Sequence, residues 1–238
     1  MKADWQKLKD WIEESNYMVF FGGAGVSTES GVPDFRGKNG LYKQKREIPL
    51  EKILSYDFFL EHPEEYYNYM RENSYGENVK PNQAHIRLAQ LEQEGKLKAV
   101  ITQNADGLHQ EAGSKIVYEL HGNGNRFFCM KCGKEYPVSE VMAGNDVPHC
   151  ECGGLIRPGA VFFGESLNMD TLNHAVKAIE KADLLVVGGT SLSVYPAAGL
   201  INYYHGNHLV LINESPTPYD KKADLIITDR IGEIFSAV

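Results

Sequence analysis

Six short apolar runs, separated by stretches with helical patterning, constrain the fold of this chain most strongly. Each run is rich in Val, Ile and Leu and bounded by Gly, Asn or Thr, which is typical of strands covered on both faces. The predicted strands are 17–21, 99–102, 117–120, 184–187, 209–212 and 225–228, and the predicted helices are 5–16, 81–95 and 171–182. The alternation predicts an α/β fold: a Rossmann-like parallel sheet with helices on both faces.

Two segments, 37–78 and 122–158, interrupt this alternation. The first is rich in Tyr and Phe and is predicted to be helical, and the second contains all the cysteines. Neither segment is long enough to bury a core of its own, so we expect them to pack on each other as a smaller domain that walls one side of a cleft. The larger domain then comprises residues 1–36, 79–121 and 159–238.

The four cysteines form two close pairs, Cys129-x-x-Cys132 and Cys150-x-Cys152, each next to a glycine. Such pairs are typical of the turns that direct thiolates at one tetrahedral Zn²⁺, although Cys-x-Cys is a less usual spacing than Cys-x-x-Cys. Four thiolates fill the coordination sphere of the ion. We therefore predict one structural, non-catalytic zinc ion.

A glycine-dense loop, residues 22–37, directly follows the first predicted strand. Gly23 and Gly25 would let backbone N–H groups approach a diphosphate, and Ser27 or Thr28 would begin a helix whose N-terminus faces the anion. Pro33 and Gly37 end that helix too early for the usual dinucleotide fingerprint. The loop therefore indicates a nucleotide site that differs from that of a dehydrogenase.

Polar clusters follow four further predicted strands: residues 103–109, His121-Gly122, residues 188–192 and Asn213-Glu214. Each cluster alone is compatible with a structural role, such as a helix cap or a buried histidine. Ligands of open α/β sheets bind at the carboxyl ends of strands, and all these clusters lie at that edge. Together they predict one crevice that holds a phosphate and a ribose.

Net charge excludes some classes of partner. The formal charge is −8 and no long basic block is present, which argues against nucleic acid and is compatible with basic peptides or simply with solubility. The sequence has no apolar signal core near its start and no run of about 20 apolar residues. We therefore expect a cytoplasmic protein that does not bind membranes, and we expect a monomer.

The ordered motifs resemble those of the sirtuins, the family of NAD-dependent protein deacylases, in a bacterial-type form over nearly the full length. The resemblance is carried by residues 23–36 (GAGVSTESGVPDFR), 102–106 (TQNAD), His121-Gly122, the four cysteines, 163–165 (FGE), 189–192 (GTSL) and Asn213-Glu214.

The resemblance implies an NAD site with His121 as general base and Asn104 as a second catalytic residue that places water. Phe35 would shield the reacting carbon, Gln103 would contact the nicotinamide ribose, and Asp106 would line the nicotinamide pocket with Asn104. The implied cofactor residues are Gly23, Ala24, Gly25, Thr28, Asp34, Phe35, Arg36, Gln103, Asn104, Asp106, His121, Gly189, Thr190, Ser191, Asn213, Glu214 and Ile231. The implied products are free lysine, nicotinamide and O-acyl-ADP-ribose.

The resemblance also implies an acyl-lysine peptide bound as an added strand between residues 161–165 and 193–195. The implied substrate residues are Val161, Phe163, Gly164, Glu165, Val194, Tyr67 and Met70. We expect at least one of Phe162 and Phe163 to be ordinary core.

Two positions depart from the family pattern. Ala105 stands where Ile or Val is common, which predicts altered nicotinamide affinity. Met70 stands where relatives that remove succinyl groups have Arg, and Arg71 falls one residue late, so we expect uncharged acyl groups to be preferred. Two alternatives stay open: a protein mono-ADP-ribosyltransferase on the same scaffold, and a zinc-ribbon binding protein without catalysis.

Overall fold

The computed structural model describes residues 1–38, 40–73 and 79–238. Within these ranges the strands are β1 (Met18–Gly22), β2 (Leu97–Thr102), β3 (Val117–Glu119), β4 (Gly122–Cys129), β5 (Glu135–Tyr136), β6 (Ile156–Ala160), β7 (Leu184–Gly188), β8 (His208–Ile212) and β9 (Leu225–Ile227). The α-helices are α1 (Ala3–Glu14), α2 (Leu50–Ile53), α3 (Tyr56–Glu61), α4 (Pro63–Glu72), α5 (Gln83–Gln93), α6 (Leu108–Glu111), α7 (Val138–Ala143), α8 (Met169–Lys181) and α9 (Ile231–Phe235). No helix in these ranges is long and apolar enough to cross a membrane.

Six of the described strands form one parallel sheet in the order β3-β2-β1-β7-β8-β9. All six predicted strands are confirmed, with ends that differ by no more than two residues. Successive side chains of a strand point to opposite faces, so β1 contributes Met18 and Phe20 to one core and Val19 and Phe21 to the other. Helices α1, α5 and α9 cover the first face and α8 covers the second, which confirms the predicted layers.

Strands β5, β4 and β6 form a second, antiparallel sheet that carries the cysteines. Its buried residues share one core with α3 and α4, including Phe59, Tyr67, Phe127 and Ile156. The two interrupting segments therefore pack on each other as expected. The residue boundaries of the two domains stay predictions.

Two helix predictions need correction. Helix α1 ends at Glu14 and not at 16, because Asp183 accepts hydrogen bonds from the Ser15 hydroxyl and from the Asn16 and Tyr17 N–H groups, which draws the chain out of the helix. The helix predicted to begin at Ser27 or Thr28 is absent from this described loop. Two single 3₁₀ turns, Ala24–Val26 and Thr28–Ser30, take its place. Positions 39 and 74–78 of the predicted helical segment lie outside the described residues.

Candidate active site

The carboxyl ends of β1, β2, β7 and β8 lie at the same edge of the parallel sheet. The loops that leave these strands contain most of the predicted cofactor residues. Two contacts join the loops directly: the Gln103 side chain donates to Thr190 Oγ1 at 2.9 Å, and the Gly25 N–H donates to the Gly189 carbonyl at 2.8 Å. The sheet edge thus brings segments that are far apart in sequence into one crevice.

The glycines let two of these loops touch backbone to backbone. A Cβ at Gly25 would lie 2.7 Å from the Gly189 Cα, and Gly189 has a φ of +60°, which other residues rarely adopt. The Gly23 N–H donates to the Gly188 carbonyl at 3.1 Å. The N–H groups of both Gly23 and Gly25 are therefore occupied within the chain, so backbone donors to a diphosphate must come from other residues of these loops.

Other backbone donors are available in the same crevice. In the part of the chain that the structure describes, the N–H groups of Ala24, Thr190 and Ser191 have no protein partner. Unpaired N–H groups of this kind suit the oxygens of a diphosphate. These three N–H groups therefore fit the diphosphate of NAD. They belong to residues that lie next to or near the predicted glycines Gly23, Gly25 and Gly189.

Ser27 is the centre of a buried hydrogen-bond network. Its hydroxyl donates to Asp106 Oδ2 at 2.6 Å and accepts from the Asn104 side-chain amide at 3.0 Å. This contact orients the Asn104 amide with its nitrogen toward Ser27 and leaves the amide oxygen for a ligand. The Leu108 N–H donates to Asp106 Oδ1 at 3.0 Å, so both carboxylate oxygens are held.

His85, on α5, completes this network and was missed from the sequence. Its Nδ1 accepts from the Asn82 N–H, and its Nε2 lies 3.5 Å from the Ser27 hydroxyl. Burial lowers the pKa of His85 to about 4, against the opposing charge of Asp106, and burial lowers the pKa of the neighbouring His109 to about 3. Both imidazoles are therefore neutral at pH 7. The sequence signal was a histidine three positions before Leu88 on the buried face of α5.

His121 lies in the short connection between β3 and β4, just after the carboxyl end of β3. Its Nδ1 is 2.8 Å from the Gln103 carbonyl, which can only accept, so Nδ1 carries the proton and Nε2 keeps its lone pair. Burial lowers the pKa of His121, partly offset by this hydrogen bond. The neutral ring can therefore take a proton at Nε2 near pH 7.

The loop from Thr28 to Arg36 folds against the 3₁₀ turn at Leu41–Lys43. The Leu41 N–H donates to the Asp34 carbonyl at 2.8 Å, and Phe35 and Arg36 both lie against the Tyr42 ring. The Asp34 carboxylate accepts from the Gly37 N–H at 2.7 Å. Asp34, Phe35 and Arg36 are thus held together on this turn, and the Thr28 hydroxyl bonds to the Gly25 carbonyl.

The predicted cofactor residues Asn213 and Glu214 directly follow β8. The Asn213 side chain donates to the Ser215 carbonyl at 2.6 Å, while Glu214 is exposed. Ile231, at the start of α9, packs so closely on the end of β7 that a Cβ at Gly188 would lie 2.5 Å from its Cδ1. The structure therefore places Ile231 beside the glycine loops.

The predicted peptide segment, residues 161–165, continues from β6. The Val161 N–H donates to the His121 carbonyl, and Phe163 forms a bridge with Ser55. Within the described ranges the Val161 carbonyl and the Gly164 N–H have no protein partner, so they can pair with an added strand. Phe162 is buried in the core and Phe163 is exposed, as we expected of at least one of them. Val194 is half-buried next to the exposed Tyr195.

Glu165 has both carboxylate oxygens occupied within the chain. They accept from Arg157 at 2.6 and 2.7 Å, and one also accepts from the Phe162 N–H at 2.8 Å. Arg157 is buried and also donates to the Ala160 carbonyl. Glu165 therefore holds the 161–165 turn in shape, and its direct contact with substrate stays a prediction.

Tyr67 and Met70 lie in the core that α4 shares with the cysteine segment. The Tyr67 hydroxyl donates to the Ile156 carbonyl at 2.6 Å, and its ring is fully buried. Arg71 donates to the carbonyls of Asn145 and Asp146, at 2.9 and 2.6 Å. Arg71, which directly follows Met70 on α4, is therefore committed to backbone carbonyls.

The four cysteine sulfurs all lie within 4.8 Å of one another. Cys129 Sγ is 3.5 Å from Cys152 Sγ, and Cys132 Sγ is 3.6 Å from Cys150 Sγ, close to the separation of about 3.8 Å that Zn–S bonds of about 2.3 Å give in a tetrahedron. The Lys131 N–H also donates to Cys129 Sγ. The donor set fits one structural zinc ion, as the spacing predicted.

Comparison with known proteins agrees with this geometry. A protein-family model described as Sir2 family matches residues 23–196. A relative named NAD-dependent protein deacetylase, from Clostridium acetobutylicum, is 52% identical over 236 residues, which cover 98% of this chain and 96% of the relative.

Two solved structures extend the agreement to the fold. One, of Sir2 with p53 peptide and NAD+, is 43% identical with a TM-score of 0.86 and covers 99% of this chain and 96% of its own. Another, of Sir2 bound to acetylated peptide, is 42% identical with a TM-score of 0.87 and the same coverage. The resemblance found in the sequence is confirmed: this chain belongs to the Sir2 family, the sirtuins.

Proposed function

We propose that this chain is an NAD-dependent protein-lysine deacylase that moves an acyl group from lysine to ADP-ribose and releases nicotinamide. Its relatives named NAD-dependent protein deacetylase support the proposal, as do the solved structures with NAD+ and acetylated peptide. The observation that carries it is the state of His121: Nδ1–H is committed to the Gln103 carbonyl, and Nε2 is a neutral base in the crevice.

NAD, when bound, supplies a ribose carbon from which nicotinamide can leave and to which an acyl oxygen can attach. The Ala24, Thr190 and Ser191 N–H groups would hold its diphosphate, and Asn104 and Asp106 would line the nicotinamide pocket. His121 Nε2 would take a proton from a ribose hydroxyl. Ser27 and Asn104 are buried, so a ligand bound against them would be shielded from bulk water, which would limit loss of the activated sugar by hydrolysis.

The acyl-lysine peptide lies along residues 161–165, paired with the Val161 carbonyl and the Gly164 N–H. Backbone pairing gives affinity with little demand on sequence, and the net charge of −8 favours basic peptides. Met70 gives the acyl channel an apolar wall. Because Arg71 already donates to two backbone carbonyls, no arginine of α4 is left for a succinyl carboxylate, so acetyl and longer uncharged groups are preferred.

The zinc ion, held by Cys129, Cys132, Cys150 and Cys152, is structural. Its four thiolates leave no open position for a substrate, so it acts by fixing the β4–β6 sheet. Location in the cytoplasm and a monomeric state stay predictions.

The alternative of a mono-ADP-ribosyltransferase is not favoured by the relatives, which are named deacetylases. Incubation with an acetyl-lysine peptide and NAD labelled in the adenylate part separates the two. The label is expected in free O-acetyl-ADP-ribose. Label on protein without O-acetyl-ADP-ribose would contradict the proposal, and failure to release nicotinamide from NAD would favour a non-catalytic binding protein.

A further inference from the structure

We propose that Asn125 is a positioning residue for the nicotinamide pocket: its side chain holds the Asp106 backbone from outside and so sets how tightly this chain binds nicotinamide. The inference rests on the proposed function, in which Asn104 and Asp106 line that pocket.

Three donors from one short segment reach three carbonyls of the loop that contains Asp106. His121 Nδ1 donates to the Gln103 carbonyl at 2.8 Å, the Gly124 N–H donates to the Ala105 carbonyl at 2.8 Å, and the Asn125 side chain donates to the Asp106 carbonyl at 2.7 Å. We call residues 121–125 the brace. The brace therefore lies alongside residues 103–106, which include the predicted pocket residues Asn104 and Asp106.

The Asn125 amide is itself held in place. The Asn125 N–H donates to Asn123 Oδ1 at 2.8 Å, and the Asn123 amide donates to Glu119 Oε1 at 2.7 Å. Gly107, with a φ of +73°, turns the loop directly against this amide: a Cβ there would lie 3.2 Å from Asn125 Nδ2. The donor therefore meets the Asp106 carbonyl as part of an ordered cluster and not as a freely rotating surface group.

Asp106 is consequently fixed from two sides. Ser27 and the Leu108 N–H hold its carboxylate from the interior, and Asn125 holds its backbone carbonyl from the exterior. Loss of the Asn125 amide releases the exterior contact alone and leaves the interior network complete. The pocket should then bind nicotinamide less tightly, while the His121 contact with Gln103 persists.

Gly124, which has no side chain, lets the brace approach the loop closely at Ala105. A Cβ at Gly124 would be 3.1 Å from the Ala105 carbonyl oxygen and 3.9 Å from the Ala105 Cβ. The brace and the loop therefore meet backbone to backbone at Gly124 and Ala105, directly beside the contact of Asn125 with Asp106.

Asn125 is exposed, so its substitution can be separated from loss of folding. The variants are Asn125→Ala, Asn125→Asp, which keeps the shape but replaces the donor with a carboxylate that repels the Asp106 carbonyl, and Asn173→Ala as an exposed control on α8. We expect Asn125→Ala to weaken inhibition by nicotinamide about three- to tenfold, the loss of one hydrogen bond, and Asn125→Asp to weaken it at least as much. The KM for peptide and the melting temperature should match the control.

Hydrogen–deuterium exchange of the ligand-free chain provides a readout that does not need activity. Exchange should be faster over residues 103–108 in both Asn125 variants and unchanged over β7. Unchanged nicotinamide inhibition together with unchanged exchange would overturn the proposal, and so would an equal rise in the KM for peptide, which indicates general loosening. If the wild type fails to deacetylate, the proposed function fails, and exchange over residues 103–108 still decides the role of Asn125.

Discussion

His121 owes its chemistry to burial and to one hydrogen bond. Burial lowers its pKa, so the neutral form, which we propose acts as the base, persists at pH values below the ordinary value of about 6.5. We expect deacetylation to be constant above pH 7 and to fall in acid with a midpoint below about 6.5. The measurement is a pH profile of kcat/KM with an acetyl peptide, and a midpoint at or above pH 7 would contradict it.

His121→Ala should retain NAD binding and lose deacetylation, because the base is removed while the diphosphate contacts remain. Calorimetric titration with NAD and a turnover assay test both parts. Full turnover by this variant would refute the assignment of His121 as the base.

Ser27 supports the pocket without a predicted contact to substrate. Ser27→Ala leaves Asp106 and Asn104 each without a buried partner, so we expect a loss of about 1–3 kcal/mol in unfolding free energy and a large loss of activity. Urea denaturation and kinetics measure both, with the exposed Ser139→Ala on α7 as a control. Equal stability of the two variants would show that the network contributes little.

Ser27 and His85 make contacts that the sequence does not predict. Serine is a common helix N-cap, so Ser27 was predicted to begin a helix, yet it bonds to residues 77 and 79 positions away. His85 lies on an apolar helix face, where a histidine usually has a structural role. Partners so distant in sequence leave no periodic pattern, whereas the spacing of the cysteines is local and predicted their site.

The 161–165 segment acts as an element fixed by Arg157 and Glu165. Glu165→Gln removes the charge that balances a buried guanidinium, at a cost of about 3 kcal/mol, and should disorder the turn that carries Val161 and Gly164. The KM for peptide should rise while the KM for NAD stays near that of the control, exposed Glu180→Gln. A change confined to the KM for NAD would contradict this role.

The β4–β6 sheet carries the four cysteines that fit a zinc ion, and it shares its core with α3 and α4. Removal of zinc by a chelator should therefore loosen the packing of Phe59, Tyr66 and Tyr67, which reduces near-ultraviolet circular dichroism, and zinc should restore it. A spectrum unchanged after quantitative loss of zinc would show that the ion is dispensable for this core.

At the level of elements, the strands of the parallel sheet were predictable and the loops were not. Runs such as β1 and β7 are apolar throughout because both faces are covered, which is visible in sequence. The glycine loop is equally easy to recognise in the sequence. Its Gly23 and Gly25 N–H groups nevertheless donate to the carbonyls of Gly188 and Gly189. Which donor is free depends on the approach of a second loop, and only the folded chain determines that.

Across the whole molecule, β4 links the two chemical centres. It begins next to His121 and ends at Cys129, so one strand joins the catalytic crevice to the zinc site. In the proposed function, the parallel sheet provides the NAD side of the crevice, and the segment after β6 provides the peptide side. Deacylation needs both at once, because the acyl group passes between the two ligands.

The central claim is that this chain couples loss of nicotinamide to loss of the acyl group. The most direct test measures nicotinamide, deacetylated peptide and O-acetyl-ADP-ribose in the same reaction with NAD and an acetyl-lysine peptide. We predict that the three products form in equal amounts throughout the reaction. Release of nicotinamide without matching deacetylation, or deacetylation that does not require NAD, would contradict the account.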